Sequence, residues 1–313
     1  MDLLVVMDPL EGCDPEADTS VGLMAAALER GHRVAYCTAG DLALVDGEVR
    51  ARAQPVVASG PSVMASGTAR DLGLGDTDAV LVRTDPPVDA DFLAMTLLLE
   101  FARGTTLLVN DPRGLREANE KLYACRFPDL MPPTVVTADA EALVAFADRH
   151  DGAVLKPLDG HGGAGVVRLG VGDPAGPDVA SAATGGGVRP VMAQQFLAGV
   201  VDGDRRILLL DGELLGVLNR RPAPDEFRAN IGRGASVEVV EPDAADRRIV
   251  DALAPSLRAD GLWFVGIDVI DGHLSEVNVT SPTGLRQLVR LSDGRPDLTV
   301  VDWLDGRRSS AGS

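Results

Sequence analysis

The segment KPLDGHGGAG, Lys156 to Gly165, places a lysine ahead of a glycine-rich turn. Gly160, Gly162, Gly163 and Gly165 let the backbone come close to a ligand and aim N–H groups at anionic oxygens, while Lys156 adds positive charge. That is phosphate chemistry, with Asp159 inside the same turn. The segment lacks the GK[ST] of a P-loop and the helix that follows a dinucleotide fingerprint, and a flexible hairpin tip suits the residues equally well. A second set is Asp268, Glu276 and Asn278 in GIDVIDGHLSEVNV. Glu276 and Asn278 are two apart and share one face of a strand. Oxygen-only ligands suit Mg²⁺, which takes a few carboxylates together with substrate phosphates. The plain alternative, polar positions on a half-buried hairpin, explains Asp268 poorly, since Phe264, Val265, Ile267, Val269 and Ile270 surround it. Register decides the matter. A two-residue loop at Asp271-Gly272 would pair Asp268 with Ser275 and turn it away from Glu276; an odd-length loop with a left-handed Gly272 and a bulge puts both on one face. A metal site therefore predicts an odd-length loop.

Other candidates are weaker alone. Lys121 follows Asn119-Glu120 at an inter-domain junction and by itself reads as a surface lysine. Arg220, Arg221, Arg228, Arg233 and Arg286 gather in the C-terminal half, and arginine is the residue for carboxylate and phosphate recognition. The histidines at 32, 150, 161 and 273 show no ligand spacing, and only His161 falls near a plausible site. No Ser-His-Asp or Cys-His nucleophile set is evident.

The chain of 313 residues is long enough for two or three domains. Its net charge of −18 argues against sequence-independent nucleic-acid binding and against docking on anionic membranes. The acidity reads as a solvated surface and leaves room for a locally basic site. Cys13, Cys37 and Cys125 form no CxxC pair, zinc pattern or disulfide framework, which fits a reducing cytoplasm. The apolar run Leu3 to Met7 is too short for a signal sequence, and no run approaches the roughly 18 apolar residues of a membrane span. The tail DGRRSSAGS after Trp303 reads as a frayed terminus.

These residues need elements to hold them. Strand Leu3–Met7, a helix opened by Asp18-Thr19-Ser20 with Val21, Met24, Ala25 and Leu28 on one face, and strand Val34–Cys37 begin an alternation. It continues through strand Val80–Val82, helix Phe92–Phe101 and strand Thr106–Val109, which predicts a doubly wound α/β domain over 1–120. Strand Thr134–Val136, helix Ala140–His150, strand Ala153–Lys156 and strand Val166–Leu169 predict a small α+β unit over 121–190. Within it, Gly170 to Gly187 reads as a mobile connection. From 191 to 313 the pattern is hairpins turning at Asp211-Gly212 and Asp271-Gly272, with a helix near Asp246–Leu257 between them.

In this order the motifs resemble the ATP-grasp superfamily, and within it the prokaryotic glutathione synthetases. The resemblance rests on MDP at 7–9, RTDPP at 83–87, NEKL at 119–122, LKPLDGHGGAG at 155–165, MAQQFL at 192–197, DGDRR at 202–206, VGID at 265–268 and EVNVTSPTGLR at 276–286. It implies an ATP-grasp fold of an α/β domain followed by two α+β subdomains that clasp ATP. It also implies ATP-driven carboxylate–amine ligation through an acylphosphate, with γ-glutamylcysteine as carboxylate and glycine as amine. By resemblance, Lys121 and Lys156 hold ATP phosphates, with Asp159, Gly160, Gly162 and Gly163 in the closing loop. Gln194, Gln195, Phe196 and Leu197 receive adenine, and Asp204 is a further nucleotide contact. Asp268, Glu276 and Asn278 bind two Mg²⁺ ions, with Mn²⁺ as a substitute. Arg206, Arg220 and Arg286 line the reaction centre, and Arg228 and Asn230 border the donor. The expected partners are small-molecule substrates and further copies of the chain. One segment departs from the family. RANIGRGASV at 228–237 stands where RGNLAAGGRG is usual, with Ala235 for a glycine and Ser236 for an arginine, and EFRANIGRG also resembles the ribosomal-protein glutamate ligases. Two alternatives therefore stay open: a peptide or amide ligase of specialised metabolism, and a nucleotide-binding protein without turnover.

Overall fold

The computed structural model describes residues 1–60, 62–224, 226–229 and 234–311, with the backbone alone for 308–311. The first unit runs β1 (Asp2–Met7), α1 (Thr19–Glu29), β2 (Arg33–Cys37), β3 (Leu42–Val45), β4 (Glu48–Ser59), β5 (Ser62–Ala65), β6 (Arg70–Gly73), β7 (Ala79–Arg83), α2 (Ala90–Glu100), β8 (Leu107–Val109) and α3 (Pro112–Glu117). Its sheet is ordered β3-β4-β2-β1-β7-β8, and the run from β2 to β8 is parallel. The central strand β1 is apolar at every inner position because both its faces are covered. Leu3, Val5 and Met7 pack with Val21 and Met24 of α1, whereas Leu4 and Val6 pack with Phe92, Met95 and Leu99 of α2. This is the doubly wound arrangement that the alternation of elements predicts.

The second unit comprises β9 (Thr134–Thr137), α4 (Ala140–Arg149), β10 (Ala153–Pro157), β11 (Val167–Leu169), α5 (Gly176–Thr184) and β12 (Val191–Gln195). Its strands form an antiparallel sheet ordered β11-β10-β12-β9. Two expectations fail here. The Gly170–Gly187 stretch carries α5, because alanines at 180, 182 and 183 favour helix, Ala180 and Ala183 pack in the core with α4, and the left-handed Gly185 (φ 60°) ends it. The strand at 191–195, expected to open the C-terminal unit, pairs with β10 and β9 and so belongs to this sheet.

The third unit holds β13 (Asp204–Leu210), β14 (Glu213–Arg221), β15 (Ser236–Val239), α6 (Ala244–Ala259), β16 (Phe264–Ile270), β17 (His273–Asn278), α7 (Leu285–Leu291) and α8 (Pro296–Ala311). The sheet, ordered β15-β14-β13-β16-β17, is antiparallel throughout. The tail, expected to fray, is helical in its described part, as far as residue 311. It continues α8, in which Leu298, Val301 and Leu304 enter the α1 core, Trp303 Nε1 donates to Asp211 Oδ2 at 3.1 Å and Arg307 stacks over Trp263 at 3.9 Å. Buried Asn110 joins this unit to the first, donating from Nδ2 to the carbonyls of Phe264 (2.9 Å) and Val279 (2.7 Å) and accepting from Phe264 N (2.8 Å).

Part of the acidity has a local purpose. Asp18, Asp89, Asp111, Asp139 and Asp243 each cap a helix by accepting first-turn N–H groups that would otherwise lack partners. The loop between β16 and β17 departs from expectation. It has two residues, Asp271 (φ 50°) and Gly272 (φ 69°), and pairs Ile270 with His273 and Val269 with Leu274. The ladder then shifts, so that Asp268 pairs with Glu276 and Ser275 has no partner in it. A bulge within β17, two pairs beyond the turn, thus does what the odd-length loop was required to do.

Candidate active site

The sheets of the second and third units face one another across a cleft of about 330 Å³, and the glycine loop after β10 lies over it. The two lysines enter from different directions. Lys121 comes from the segment after α3, which is fastened to the third unit. The Glu120 carbonyl accepts from Val277 N at 2.9 Å, and Glu120 Oε1 accepts from Val279 N, Thr280 N and Thr280 Oγ1. Lys121 Nζ then donates to Glu276 Oε1 at 2.8 Å and to the Gly160 carbonyl. Lys156 extends from β10 and donates to Gln194 Oε1 at 2.7 Å and Ser275 Oγ at 2.8 Å.

Behind the lysines lies a buried ionic cluster. Asp268 accepts from Arg206 Nε at 2.6 Å and Nη2 at 3.0 Å. Arg220 Nη2 reaches Asp268 Oδ1 at 2.9 Å and Asp204 Oδ2 at 2.8 Å. Burial raises the carboxyl of Asp204 to about 6, the negative charge of Asp268 adds to this, and the two arginines oppose it. Burial also works against ionised Asp268, yet Arg206 and Arg220 outweigh it and hold that carboxyl well below the ordinary range. Burial lowers Lys156, and nearby Glu276, Asp204 and Asp268 pull it back. Glu120 is raised by burial first and by the charge of Glu276 second.

The donor set on one edge of the cleft is Asp268, Glu276 and Asn278, with Asn278 Nδ2 donating to Asp268 Oδ2 at 3.3 Å. Two carboxylates and an amide oxygen fit a hard dication that keeps water and phosphate ligands. No cluster of three His, Cys, Asp or Glu suited to a metal occurs among the described residues. The opposite end is apolar. Gln195, Phe196 and Leu197 line it with Val154, Val166, Val200 and Ile270, and Phe227 stands edge-on to Phe196 with ring centroids 6.5 Å apart. A flat heteroaromatic ring suits such a pocket.

Among the expected residues, Lys121, Lys156, Gly160, Gly162, Gly163, Gln194, Gln195, Phe196, Leu197, Asp204, Arg206, Arg220, Arg228, Asp268, Glu276 and Asn278 all line this cleft. Two do not join them, and a third lies outside the described residues. Asp159 is exposed and lies outside the lining. Arg286 is also outside it: on α7 its side chain covers Gly22 of α1, where a Cβ would come within 2.6 Å of Arg286 Cδ. Asn230 lies outside the described residues. Arg228 is already paired, through Nη2 to Glu226 Oε2 at 2.7 Å, and its Nη1 reaches the Gly163 carbonyl at 3.3 Å.

The description "Prokaryotic glutathione synthetase, N-terminal domain" matches residues 1–116, and "Prokaryotic glutathione synthetase, ATP-grasp domain" matches residues 120–293. The chain belongs to the prokaryotic glutathione synthetase family. It is 42% identical to the glutathione synthetase of Synechocystis sp. over 97% of this chain and 99% of that one. Against the glutathione synthetase of Prochlorococcus marinus the identity is 46%, covering 92% of this chain and 93% of that one. Solved structures share the fold at lower identity. D-cycloserine synthetase DcsG has a TM-score of 0.65 at 18% identity, covering 98% of this chain and all of that one. The ATP-grasp ligase PsnB, complexed with a minimal precursor, has a TM-score of 0.62 at 18% identity, covering 97% and 99%.

Sequence reasoning passed over several cleft residues of this glutathione synthetase family member. Glu120 was visible only as the residue before Lys121, and nothing local announces that Val279 and Thr280 would bond to it. Ser275 did carry a signal. Leu274 and Val277 are both apolar and three apart, which a regular strand would place on opposite faces.

Proposed function

We propose that this protein is a glutathione synthetase that uses ATP to join the cysteinyl carboxylate of γ-glutamylcysteine to the amine of glycine. One observation carries the reading: Lys121, Lys156 and the Asp268–Glu276–Asn278 oxygens converge on a single cleft that is apolar at its other end. A carboxylate does not acylate an amine at neutral pH until it has a leaving group, and phosphoryl transfer to it forms an acylphosphate. That transfer depends on positioning and charge neutralisation more than on a protein nucleophile. Lys121 and Lys156 supply positive charge from two sides, while Arg206 and Arg220 line the cleft paired with Asp268 and Asp204. The glycine loop covers the site and keeps water from the activated carboxylate. Asp268, Glu276 and Asn278 would hold two Mg²⁺ ions, or Mn²⁺ in their place, which when bound neutralise phosphate charge.

Further parts of the reading rest on other features. The free cysteines, and the lack of any helix long and apolar enough to cross a membrane among the described residues, support a place in the cytoplasm. The outward apolar side of α2 and its C-cap, with Leu97 54% and Phe101 58% exposed, supports a homo-oligomer. We divide the chain into an α/β unit over 1–120, a central unit that extends past β12, and a C-terminal unit.

ADP release and mass-spectrometric detection of glutathione from γ-glutamylcysteine, glycine and MgATP test the reading. A second reading, ligation of another carboxylate or amine, is favoured by Ala235 and Ser236 and by the pairing of Arg228 with Glu226. ADP release with other dipeptide donors but not with γ-glutamylcysteine selects it. ATP binding with no ADP release for any pair leaves a nucleotide-binding protein without turnover.

A further inference from the structure

Leu274 and Val277 of β17 are both fully buried in the same core, although regular alternation would place residues three apart on opposite faces. The extra residue that reconciles them is Ser275, the residue skipped where the ladder passes from Val269–Leu274 to Asp268–Glu276. Two successive side chains therefore turn toward the cleft, and each takes one lysine. Glu276 Oε1 accepts from Lys121 Nζ at 2.8 Å, and Ser275 Oγ accepts from Lys156 Nζ at 2.8 Å. Ser275 is 6% exposed, and its Oγ also donates to Gln194 Oε1 at 3.4 Å.

We infer that Ser275 is a positioning residue for Lys156, set by the bulge to hold that ammonium by a neutral hydroxyl and keep it off the neighbouring carboxylates. The chemistry of the two lysines differs as a result. Lys121 is bonded to a carboxylate, which neutralises part of its charge. Lys156 is held by two neutral acceptors, Ser275 and Gln194, and an ammonium has three donors. Its full charge and its third N–H remain for an anionic oxygen entering the cleft. Without the bulge, Ser275 would fall on the pairing position opposite Asp268 and Glu276 would move to the other face. The same single residue thus assembles the oxygen donor set and reserves the charge of Lys156.

This inference rests on the ATP-phosphate role proposed for Lys156, so the test includes a variant that addresses that role alone. MgATP affinity is measured by isothermal titration for wild type, Ser275→Ala, Lys156→Met and the double variant, with KM and kcat for the first two. Loss of one charge-assisted bond predicts that Ser275→Ala raises Kd and KM for ATP about tenfold or more. The donor KM stays at the wild-type value, and kcat changes less than about threefold. In the Lys156→Met background, Ser275→Ala adds no further loss, because a residue acting through Lys156 has nothing left to hold. A wild-type Kd for Ser275→Ala, or a loss that persists undiminished without Lys156, overturns the inference and leaves the nucleotide role of Lys156 standing. Wild-type ATP affinity in Lys156→Met overturns both.

Discussion

Replacing Asp204 by Asn should change how stability depends on pH, and the direction follows from its surroundings. The carboxyl is raised from 3.8 to about 6 by burial and by Asp268, and its Oδ1 is buried without a hydrogen-bond partner. Between those two values the folded protein keeps a proton that the unfolded chain has released. Stability therefore falls as pH rises through that interval and levels off above about 6. Asp268 does not interfere, since its carboxyl is depressed and it is ionised in both states above pH 5. The sequence isoelectric point near 4.5 makes pH 5 to 8 the practical window. From pH 5 to a carboxyl near 6 there is one unit, worth about 1.4 kcal/mol. For a chain of 313 residues at about 2.1 cal/mol/K per residue, that corresponds to about 2 °C in Tm. The assay is thermal unfolding of wild type and Asp204→Asn at half-unit steps. The Tm difference, variant minus wild type, should climb by about 2 °C from pH 5 to 7 and then stay flat. A difference that is level across the window, or that falls, refutes the assignment of a raised carboxyl to Asp204.

Four further outcomes are expected. Glu276→Gln should keep the fold by circular dichroism yet lower kcat by about 10²-fold or more, since it removes charge where phosphoryl transfer is stabilised; wild-type ADP release would exclude Glu276 from the ion site. Amides of Gly162 and Gly163, at a loop held by Lys121 at the Gly160 carbonyl and Arg228 at the Gly163 carbonyl, should exchange more slowly when MgATP is added, and equal exchange in both states would count against a closing loop. Ala235→Gly with Ser236→Arg should change donor kcat/KM about tenfold and leave the KM for ATP nearly constant, whereas an effect on ATP alone would assign the segment to the nucleotide lid. Trp303→Ala should cost about 3 kcal/mol of stability, because its ring packs with Trp263 and its N–H is bonded to Asp211; an unchanged Tm would mean that α8 contributes little.

Legibility in the sequence followed the range of the interactions involved. Asp18 signals a helix start through a bond to Val21 three positions on, and Asp-Gly pairs signal turns through their own dihedral preferences, so both were readable. Lys156 and its glycines lie in ten consecutive residues, which made the phosphate chemistry readable too. The bulge at Ser275 depends on a core that holds Leu274 and Val277 together, and counting from the turn alone gave the wrong device for the right outcome. Arg286 looked like a member of the arginine set, yet burial of Leu285 and Leu288 aims that helix so that Arg286 meets α1. Helix α5 hid behind its flanking glycines, and the end of α8 hid behind polar residues whose anchor, Asp211, is 96 positions away from Arg307.

The closure of α8 over α1 also bears on how the chain is made. Leu298, Val301 and Leu304 cover the same core as Leu3 and Val5, and Arg30 and Glu29 of α1 pair with Asp302 and Arg295 at the other end of the chain. On the ribosome, the first sheet emerges with one face lacking that cover until α8 leaves the exit tunnel. About 190 residues separate the end of β8 from α8, so at about 5–20 residues per second the wait is on the order of 10–40 seconds. During that interval α1 and the apolar side of β1 are open to wrong partners, and nascent-chain binders have their natural target there. Fragments ending near residue 290 should be captured by such binders, and release should coincide with synthesis of α8.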